Sequence, residues 1–441
     1  MKKNRLIISA ILATTLTAAS ANNVLPDSET MNTPTLVAPT VEQPNSEEKA
    51  NPAAESADVN HAASDFIAEE ARLASINLPR WTPSPTPLPA NATTGQKVMA
   101  KFDPSLKFGG YIVGKYSIND SKEIKNGQRV SNGGFDLRFV RLYANGYCFK
   151  DFYYRFQLEV NGAPGEDKGP RIVDAFVEWQ KLDYLRIKFG QFKRSFGFEN
   201  PYSPLLVGMG SYSQATMKLA SINDRIGEHK SSGRDLGVQV QGDLFKAQDG
   251  HHWFHYQVGI FNGQGINHAD KDRTKDFIGG AWISPVKNLC IGGFGWSGRY
   301  VNEKFTDPTK QLPATRRDRW GLGFKYEDKW SVRGEYMSSK GGVVSKITDP
   351  NKSDAWYATV GAPIFKNFKL YARWDCYRDA KTWNSLQTNW GLSANYNLGK
   401  NLIFQANYTF TDKRSKPKPN NQLDIIDNHF NTFDIQVYAR F

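Results

Sequence analysis

The stretch Leu402-Ile403-Phe404-Gln405-Ala406-Asn407-Tyr408-Thr409-Phe410 decides the fold. Leu402, Phe404, Ala406, Tyr408 and Phe410 are apolar, while Gln405, Asn407 and Thr409 between them are polar. Successive side chains on a strand point to opposite faces, so this pattern is a strand greasy on one side and wet on the other. The same reading fits Trp390, Leu392, Ala394 and Tyr396 against Asn389, Ser393 and Asn395, and Phe368, Leu370, Ala372 and Trp374 against Lys369, Arg373 and Asp375. It fits again at Phe152, Tyr154, Phe156, Leu158 and Val160 against Tyr153, Arg155, Gln157 and Glu159.

Working outward, the period of two predicts sixteen strands from 106-118 to 432-441, among them 135-148, 172-182 and 185-198. Tight connections such as 328-329 alternate with long polar ones such as 299-317 and 412-431. An even count with short turns on one side and long loops on the other is the asymmetry of an outer-membrane barrel. Both termini then lie on the short-turn, periplasmic side.

A soluble sandwich would also alternate, but two features oppose it. The greasy face is aromatic near strand ends, with Trp179, Phe254, Tyr256, Trp320, Tyr326, Trp330, Tyr336, Trp374, Trp390 and Tyr396 suited to an interfacial girdle. The other face carries Arg138, Arg155, Arg186, Lys188, Arg319, Lys325, Arg333, Arg373 and Arg440 with Asp174, Glu178, Glu335 and Asp375. A dry core does not hold that many ions, whereas a water-filled lumen does. Slipping the register by one residue would turn Arg333 or Arg373 to lipid at about 2–4 kcal/mol near the midplane. The fold class is therefore an all-β, sixteen-stranded antiparallel transmembrane barrel.

Composition agrees with this. The 441 residues are 39% hydrophobic and 23% charged. Past the N-terminus no apolar run of roughly 18 to 20 residues could cross a bilayer as a helix. At the N-terminus Lys2, Lys3 and Arg5 precede the apolar run from Leu6, and Ala19-Ser20-Ala21 offers small residues for cleavage, so 1-21 reads as a signal peptide. Residues 22-100 hold four bases and ten acids and are rich in Pro and Ala; they read as an acidic, disordered periplasmic linker. A short amphipathic helix is expected near 60-76, and the five prolines from Pro79 to Pro89 make an extended spacer. Residues 101-441, the barrel domain, carry 49 bases against 34 acids.

Within that body five stretches resemble the phosphate-selective porin O and P family. They are Arg138 to Gly146 (RFVRLYANG), Gly190 to Gly197 (GQFKRSFG), Gly233 to Gly242 (GRDLGVQVQG), Tyr256 to Gly263 (YQVGIFNG) and Phe433 to Phe441 (FDIQVYARF). The resemblance implies a trimeric, sixteen-stranded channel whose third external loop folds into the lumen. Here that loop is 200-234, with Ser203, Ser211, Tyr212, Ser213, Lys218, Arg225, His229 and Lys230 as donors to an anion. Arginines and a lysine at the constriction would guide phosphate, a role carried by motif position onto Arg138, Arg141 and Lys193, and further onto Arg155 and Arg194. Arg333 and Arg373, with Ser211 and Ser213, complete the expected anion-binding and pore-lining set. Guanidinium forks match phosphate oxygens, and fixed cations in a narrow pore favour anions. Phe441, at the end of an alternating strand, resembles the signal that barrel-assembly machinery reads.

Other chemistries are poorly supported. His251, His252 and His255 read as a polar turn entering a strand, so no metal or other cofactor is expected. The seven His lie in linker, turns or loops, and none is tied to a Ser and an acid for nucleophilic catalysis. Basic residues alternate with lipid-facing aromatics, so no nucleic-acid partner is expected. Cys148 and Cys290 fall on opposite sides of the ring, and Cys376 reads as a small lipid-facing residue, leaving all three unpaired. Small inorganic anions and outer-membrane lipid are the expected partners. Two other readings stay open: a general or sugar porin sliding pyranoses over Tyr153, Phe176, Tyr357, Tyr371 and Tyr377, and an adhesive envelope barrel.

Overall fold

The computed structural model describes residues 105–125, 128–130, 132–162, 169–226, 230–301, 314–342, 352–399, 401–414 and 427–441. The expected signal peptide, the linker with its helix near 60-76, and His229 lie outside the described residues.

Sixteen strands close into one antiparallel barrel, each paired with its sequence neighbour and the first with the last. They are β1 (Ser105–Asn119), β2 (Gly133–Cys148), β3 (Phe152–Glu159), β4 (Arg171–Trp179), β5 (Arg186–Lys193), β6 (Arg234–Lys246), β7 (His252–Phe261) and β8 (Asp276–Ile283). The second half comprises β9 (Leu289–Ser297), β10 (Asp318–Glu327), β11 (Ser331–Lys340), β12 (Lys352–Phe365), β13 (Phe368–Arg378), β14 (Leu386–Leu398), β15 (Leu402–Lys413) and β16 (His429–Arg440). Closure leaves no sheet edge to aggregate. The last residue seals the seam: Phe441 N–H donates to Gly110 O at 3.1 Å, and Gly110 N–H donates to Phe441 O at 2.9 Å.

The alternation expected from sequence is present. Trp320, Leu322 and Phe324 stand exposed on the outside of β10, while Arg319 beside them is buried inside. The girdle residues meet one another, with Trp320 and Tyr336 ring centres 5.3 Å apart and Trp374 and Trp390 6.0 Å apart. Cys376 departs from expectation. It is buried, with Sγ 3.6 Å from Thr388 Oγ1, between Trp356 and Thr388, which stand opposite it on the two neighbouring strands.

Two bulges adjust which side chains face the lumen. On β2 the register shifts so that Val113 opposes Phe139 and Gly114 opposes Leu137, leaving Arg138 as the extra residue. On β4 the extra residue is Val173, since Gln157 opposes Asp174 and Leu158 opposes Ile172. Gln191 Nε2 donates to the carbonyls of Ile172 and Val173 at 3.0 and 3.2 Å, satisfying backbone groups freed by the bulge.

Strand β5 ends at Lys193, five residues before the expected 198. The apolar residues beyond it, Phe196 and Phe198, serve the interior rather than the wall. From there the 194–233 loop dives into the barrel. It carries the short helix α1 (Gln214–Leu219), which packs against β11, β12 and β13. Phe196, Phe198, Ala215, Leu219, Met337, Ala355, Tyr357 and Tyr377 form one apolar cluster inside the lumen. Tyr202, Val207, Met209, Tyr212 and Tyr371 form a second. Each such fully buried side chain contributes about 1.5–3 kcal/mol, so this loop is a packed part of the barrel. Gly208 permits the close approach: its φ is +75°, and a Cβ there would lie 2.5 Å from the Tyr371 ring.

Candidate functional site: a cationic passage beside the inserted loop

The loop is fixed to the wall by side chains that the period of two turns inward. Asp375 on β13 accepts the Gln214 N–H at 2.9 and 3.0 Å, and Ser213 caps α1 by accepting from Thr216 N–H at 3.2 Å. Glu199 accepts from Ser213 N–H at 2.8 Å and from Ser213 Oγ at 2.6 Å. Glu335 on β11 accepts the N–H groups of Phe198 and Glu199 at 2.7 and 2.9 Å. Arg373 donates to Ser211 O at 2.8 Å, and Arg333 donates to Val207 O. Arg319 grips Asp224 with two bonds of 2.7 Å, both side chains being fully buried.

These burials shift protonation in the loop. Burial pushes the Tyr212 phenol well up, and does the same to Tyr202, helped there by Glu327. Burial acts to raise Asp224, but Arg319 beside it, with Arg317 behind, holds its carboxyl well below the usual range.

With the loop pinned to β10–β16, the open space lies between its Pro201–Pro204 stretch and a wall that runs from Tyr111 on β1 through Gln257 on β7 to Trp282 on β8 and Lys325 on β10. The cavity there measures about 130 Å³. Its lining holds seven cationic side chains, Arg141, Arg155, Lys188, Lys193, Arg194, Arg234 and Lys325, against two anionic ones, Asp174 and Glu178. The glutamines Gln157, Gln239, Gln241 and Gln257 add neutral donors and acceptors.

Positive charge survives ion pairing here because carboxylates are shared. Asp174 is gripped by Arg234 at 2.6 Å and approached by Arg155 at 3.7 Å. Glu159 is held by Arg141 at 3.0 Å and Arg171 at 2.6 Å. Each cluster keeps one net positive charge in a low-dielectric wall, where its field is stronger than in water. Lys325 makes no ion pair among the described residues; its ammonium lies 5.6 Å from the Phe198 ring centre and 5.7 Å from that of Tyr202. Lys188 sits 3.5 Å from Glu178 and over the rings of Phe176 and Phe192.

Of the residues expected from sequence, Arg141, Arg155, Lys193 and Arg194 line this passage. Lys193 is also the loop's anchor, donating to Asn200 O at 2.6 Å, Tyr202 O at 2.5 Å and Tyr212 Oη at 3.3 Å. Arg194 is fully buried against Asp235 at 2.9 Å. Arg138 faces the lumen from outside the lining, bonded to Gln436 and Tyr438. Arg333 and Arg373 hold the loop, as do Ser211 and Ser213 through the bonds above. Of the five aromatics weighed for a sugar surface, Phe176 alone lines the passage, while Tyr153, Tyr357, Tyr371 and Tyr377 are buried. Lys188, Arg234 and Lys325 were missing from the expected set. Alternation already turned Lys188 and Lys325 inward, but only the path of the loop marks them as lining.

Comparison with known proteins follows this geometry. Residues 85–416 match the Gram-negative porin family. Porin O of Pseudomonas aeruginosa is 28% identical over 140 residues, which are 32% of this chain and 30% of that protein's length. The anion-selective porin from Comamonas acidovorans superposes with a TM-score of 0.57 at 14% identity, covering 77% of this chain and 100% of its own. The trimer form of OmpT, an outer-membrane protein of Vibrio cholerae, gives 0.50 at 11% identity, covering 77% and 99%. The chain belongs to the Gram-negative porin family and is an outer-membrane β-barrel protein.

Proposed function

We propose that this protein is a passive, anion-preferring channel whose favoured solutes are phosphate or related oxyanions. The seven-to-two excess of cationic over anionic side chains along the passage carries the reading. Such a lining lowers the barrier for anions and raises it for cations, while several weak sites in series let the ion leave again. Arg141, Arg155 and Arg234 supply planar forks suited to a tetrahedral oxyanion. Arg138, beside them on the wall, adds charge at longer range, and Lys193 and Arg194 combine lining with support of the loop. The names of two relatives, an anion-selective porin and Porin O, point the same way. Lys188 lies over Phe176 and Phe192 and Lys325 over Phe198, while Trp282 is stacked on His255 at 4.0 Å and Tyr111 is buried, which leaves little open aromatic surface for a pyranose. No catalytic role is assigned.

Three copies form the assembly in this reading, as the trimer form of the Vibrio protein suggests, and Phe441 presents the C-terminal strand to the assembly machinery. The test is the reversal potential of the purified protein in a planar bilayer under a KCl gradient, followed by phosphate titration. Reversal on the anion side, with chloride conductance falling as phosphate is added, is expected. Reversal near zero without phosphate block would hand the protein to the general porins.

A further inference from the structure

The two carboxylates among the seven cations of the passage are held in different ways. Asp174 is gripped by arginine, whereas Glu178, on β4, makes its hydrogen bonds to neutral amides. Gln241 Nε2 donates to Glu178 Oε1 at 2.5 Å and Gln180 Nε2 to Oε2 at 3.2 Å, while the Lys188 ammonium stands 3.5 Å from Oε2. The Glu178 side chain is fully buried. An acid there opposes the entry of anions, and Lys188 beside it only cancels that charge.

The amides form a chain that ends on this acid. Ser195, at the root of the inserted loop, donates its hydroxyl to Gln239 Oε1, Gln239 Nε2 donates to Gln241 Oε1 at 2.6 Å, and Gln241 donates to Glu178. A hydroxyl gives or takes and an amide can turn either end forward, but an ionised carboxylate only accepts. Glu178 alone therefore fixes the direction of the whole chain. The NH2 of Gln241 and the ammonium of Lys188 meet at this one carboxylate. Each amide NH2 keeps a second hydrogen that no described residue receives, on side chains that line the passage.

We propose that Glu178 is a positioning residue for oxyanion selection: it holds the Gln239 and Gln241 amides so that their spare N–H groups stand with the Lys188 ammonium as donors to phosphate oxygens. This role rests on the anion-channel reading above. Chloride is a single acceptor and gains mainly from charge, whereas a tetrahedral oxyanion has several oxygens to meet fixed donors. In Glu178→Gln the Lys188 ammonium, a pure donor, takes the oxygen of the new amide. The NH2 of that amide then faces Gln241, which turns its carbonyl oxygen to the place where its donor stood.

The experiment measures two quantities for the full-length protein in a planar bilayer: the chloride-to-potassium permeability ratio, and the inorganic phosphate concentration that halves chloride conductance. Charge alone would make Glu178→Gln, which removes an acid, both more anion-preferring and more easily blocked by phosphate. Positioning splits the two readouts: the permeability ratio rises, while the half-blocking concentration increases about fivefold. Gln241→Leu, with no change of charge, should weaken the block by a similar factor. The double variant should be no weaker than either single one, since both disable the same chain. A Glu178→Gln channel blocked at the wild-type concentration or below overturns the inference, as does a Gln241→Leu channel blocked like wild type. A wild type that phosphate does not block overturns the channel reading and this inference together, which keeps the two failures apart. Folding is checked by resistance to SDS at room temperature; if Glu178→Gln does not fold, Gln241→Leu decides alone.

Discussion

Arg138 and Arg141 sit three residues apart on β2, and both turn into the lumen. In a regular strand an odd spacing would send one of them to lipid. Arg138 is the extra residue of the bulge opposite Val113 and Gly114, so the pleat resets between the two arginines. The consequence is two cations on one wall with different anchors. Arg138 Nη1 donates to Gln436 Oε1 at 2.6 Å and to the Tyr438 hydroxyl at 3.2 Å, both neutral, whereas Arg141 holds the carboxylate of Glu159.

The two arginines should therefore fail differently. Arg138→Gln leaves no buried charge stranded, and its expected cost to stability is below about 1 kcal/mol. Arg141→Gln leaves Glu159 with Arg171 alone and should cost about 1–3 kcal/mol. Both remove a lumen charge, so both should lower anion preference. Heat-induced unfolding in SDS, followed by gel mobility, separates the stabilities. Equal thermal shifts for the two variants would show that Glu159 does not depend on Arg141.

Strand number, order and facing were legible because lipid on one side and water on the other force a period of two on each segment. The passage was less legible. Which of the inward cations line it depends on a 40-residue loop whose path is set by contacts such as Asp375 with Gln214 N–H and Gln436 with Gly210 O, both more than 160 residues apart in sequence. Residue type also misleads there. Ser213 and Arg333 look like anion ligands in a list of polar residues, yet one caps a helix and the other grips a backbone carbonyl. Arg141 was legible only through its motif, since the alternation that turned Arg138 inward would have placed Arg141 on the opposite face.

Lys193 tests the loop as much as the ion path. Its ammonium has three protons, and three oxygens of the loop receive them. Lys193→Ala should lower anion preference and also raise open-channel current noise, because Asn200 O loses the ammonium and Tyr202 O keeps only the Tyr212 hydroxyl, at 2.6 Å. Lys193→Arg should restore part of the selectivity with less of the quiet baseline, since a planar fork does not reproduce three divergent bonds. Noise unchanged in the Ala variant would remove Lys193 from the loop's support.

Lys325 is the cleaner probe of charge in the passage, having ring contacts but no ion pair among the described residues. Lys325→Gln should leave stability within about 0.5–1 kcal/mol of wild type. A unit charge near the axis of a narrow pore is worth about 1 kcal/mol, so the chloride-to-potassium permeability ratio should fall about fivefold at low salt and less at 1 M. Lys188→Gln should act at least as strongly, because removing it also frees the negative field of Glu178, its neighbour at 3.5 Å. A permeability ratio insensitive to Lys325 would place the rate-limiting constriction elsewhere.

The pair Arg319 and Asp224 sets how the inserted loop responds to acid. Burial acts to raise the Asp224 carboxyl, and Arg319 with Arg317 overcomes this and holds it below its ordinary value of 3.8. A depressed folded-state value means that the pair's contribution is present in full above about pH 4, declines as the unfolded carboxyl takes up its proton, and is gone once pH falls through the folded value. The wild-type channel should accordingly keep the same conductance and noise from pH 7 to pH 5 as far as this anchor is concerned. Asp224→Asn should produce at pH 7 what acid does not, because it leaves Arg319 buried against Leu219 O and Ser339 without its charge partner. The expected destabilisation is about 3 kcal/mol, confined to the loop, and it should appear as fluctuating conductance and faster proteolysis within 200–234 while the barrel stays resistant to SDS. A quiet Asp224→Asn channel at pH 7 would show that the caps at Asp375 and Glu335 suffice to hold the loop.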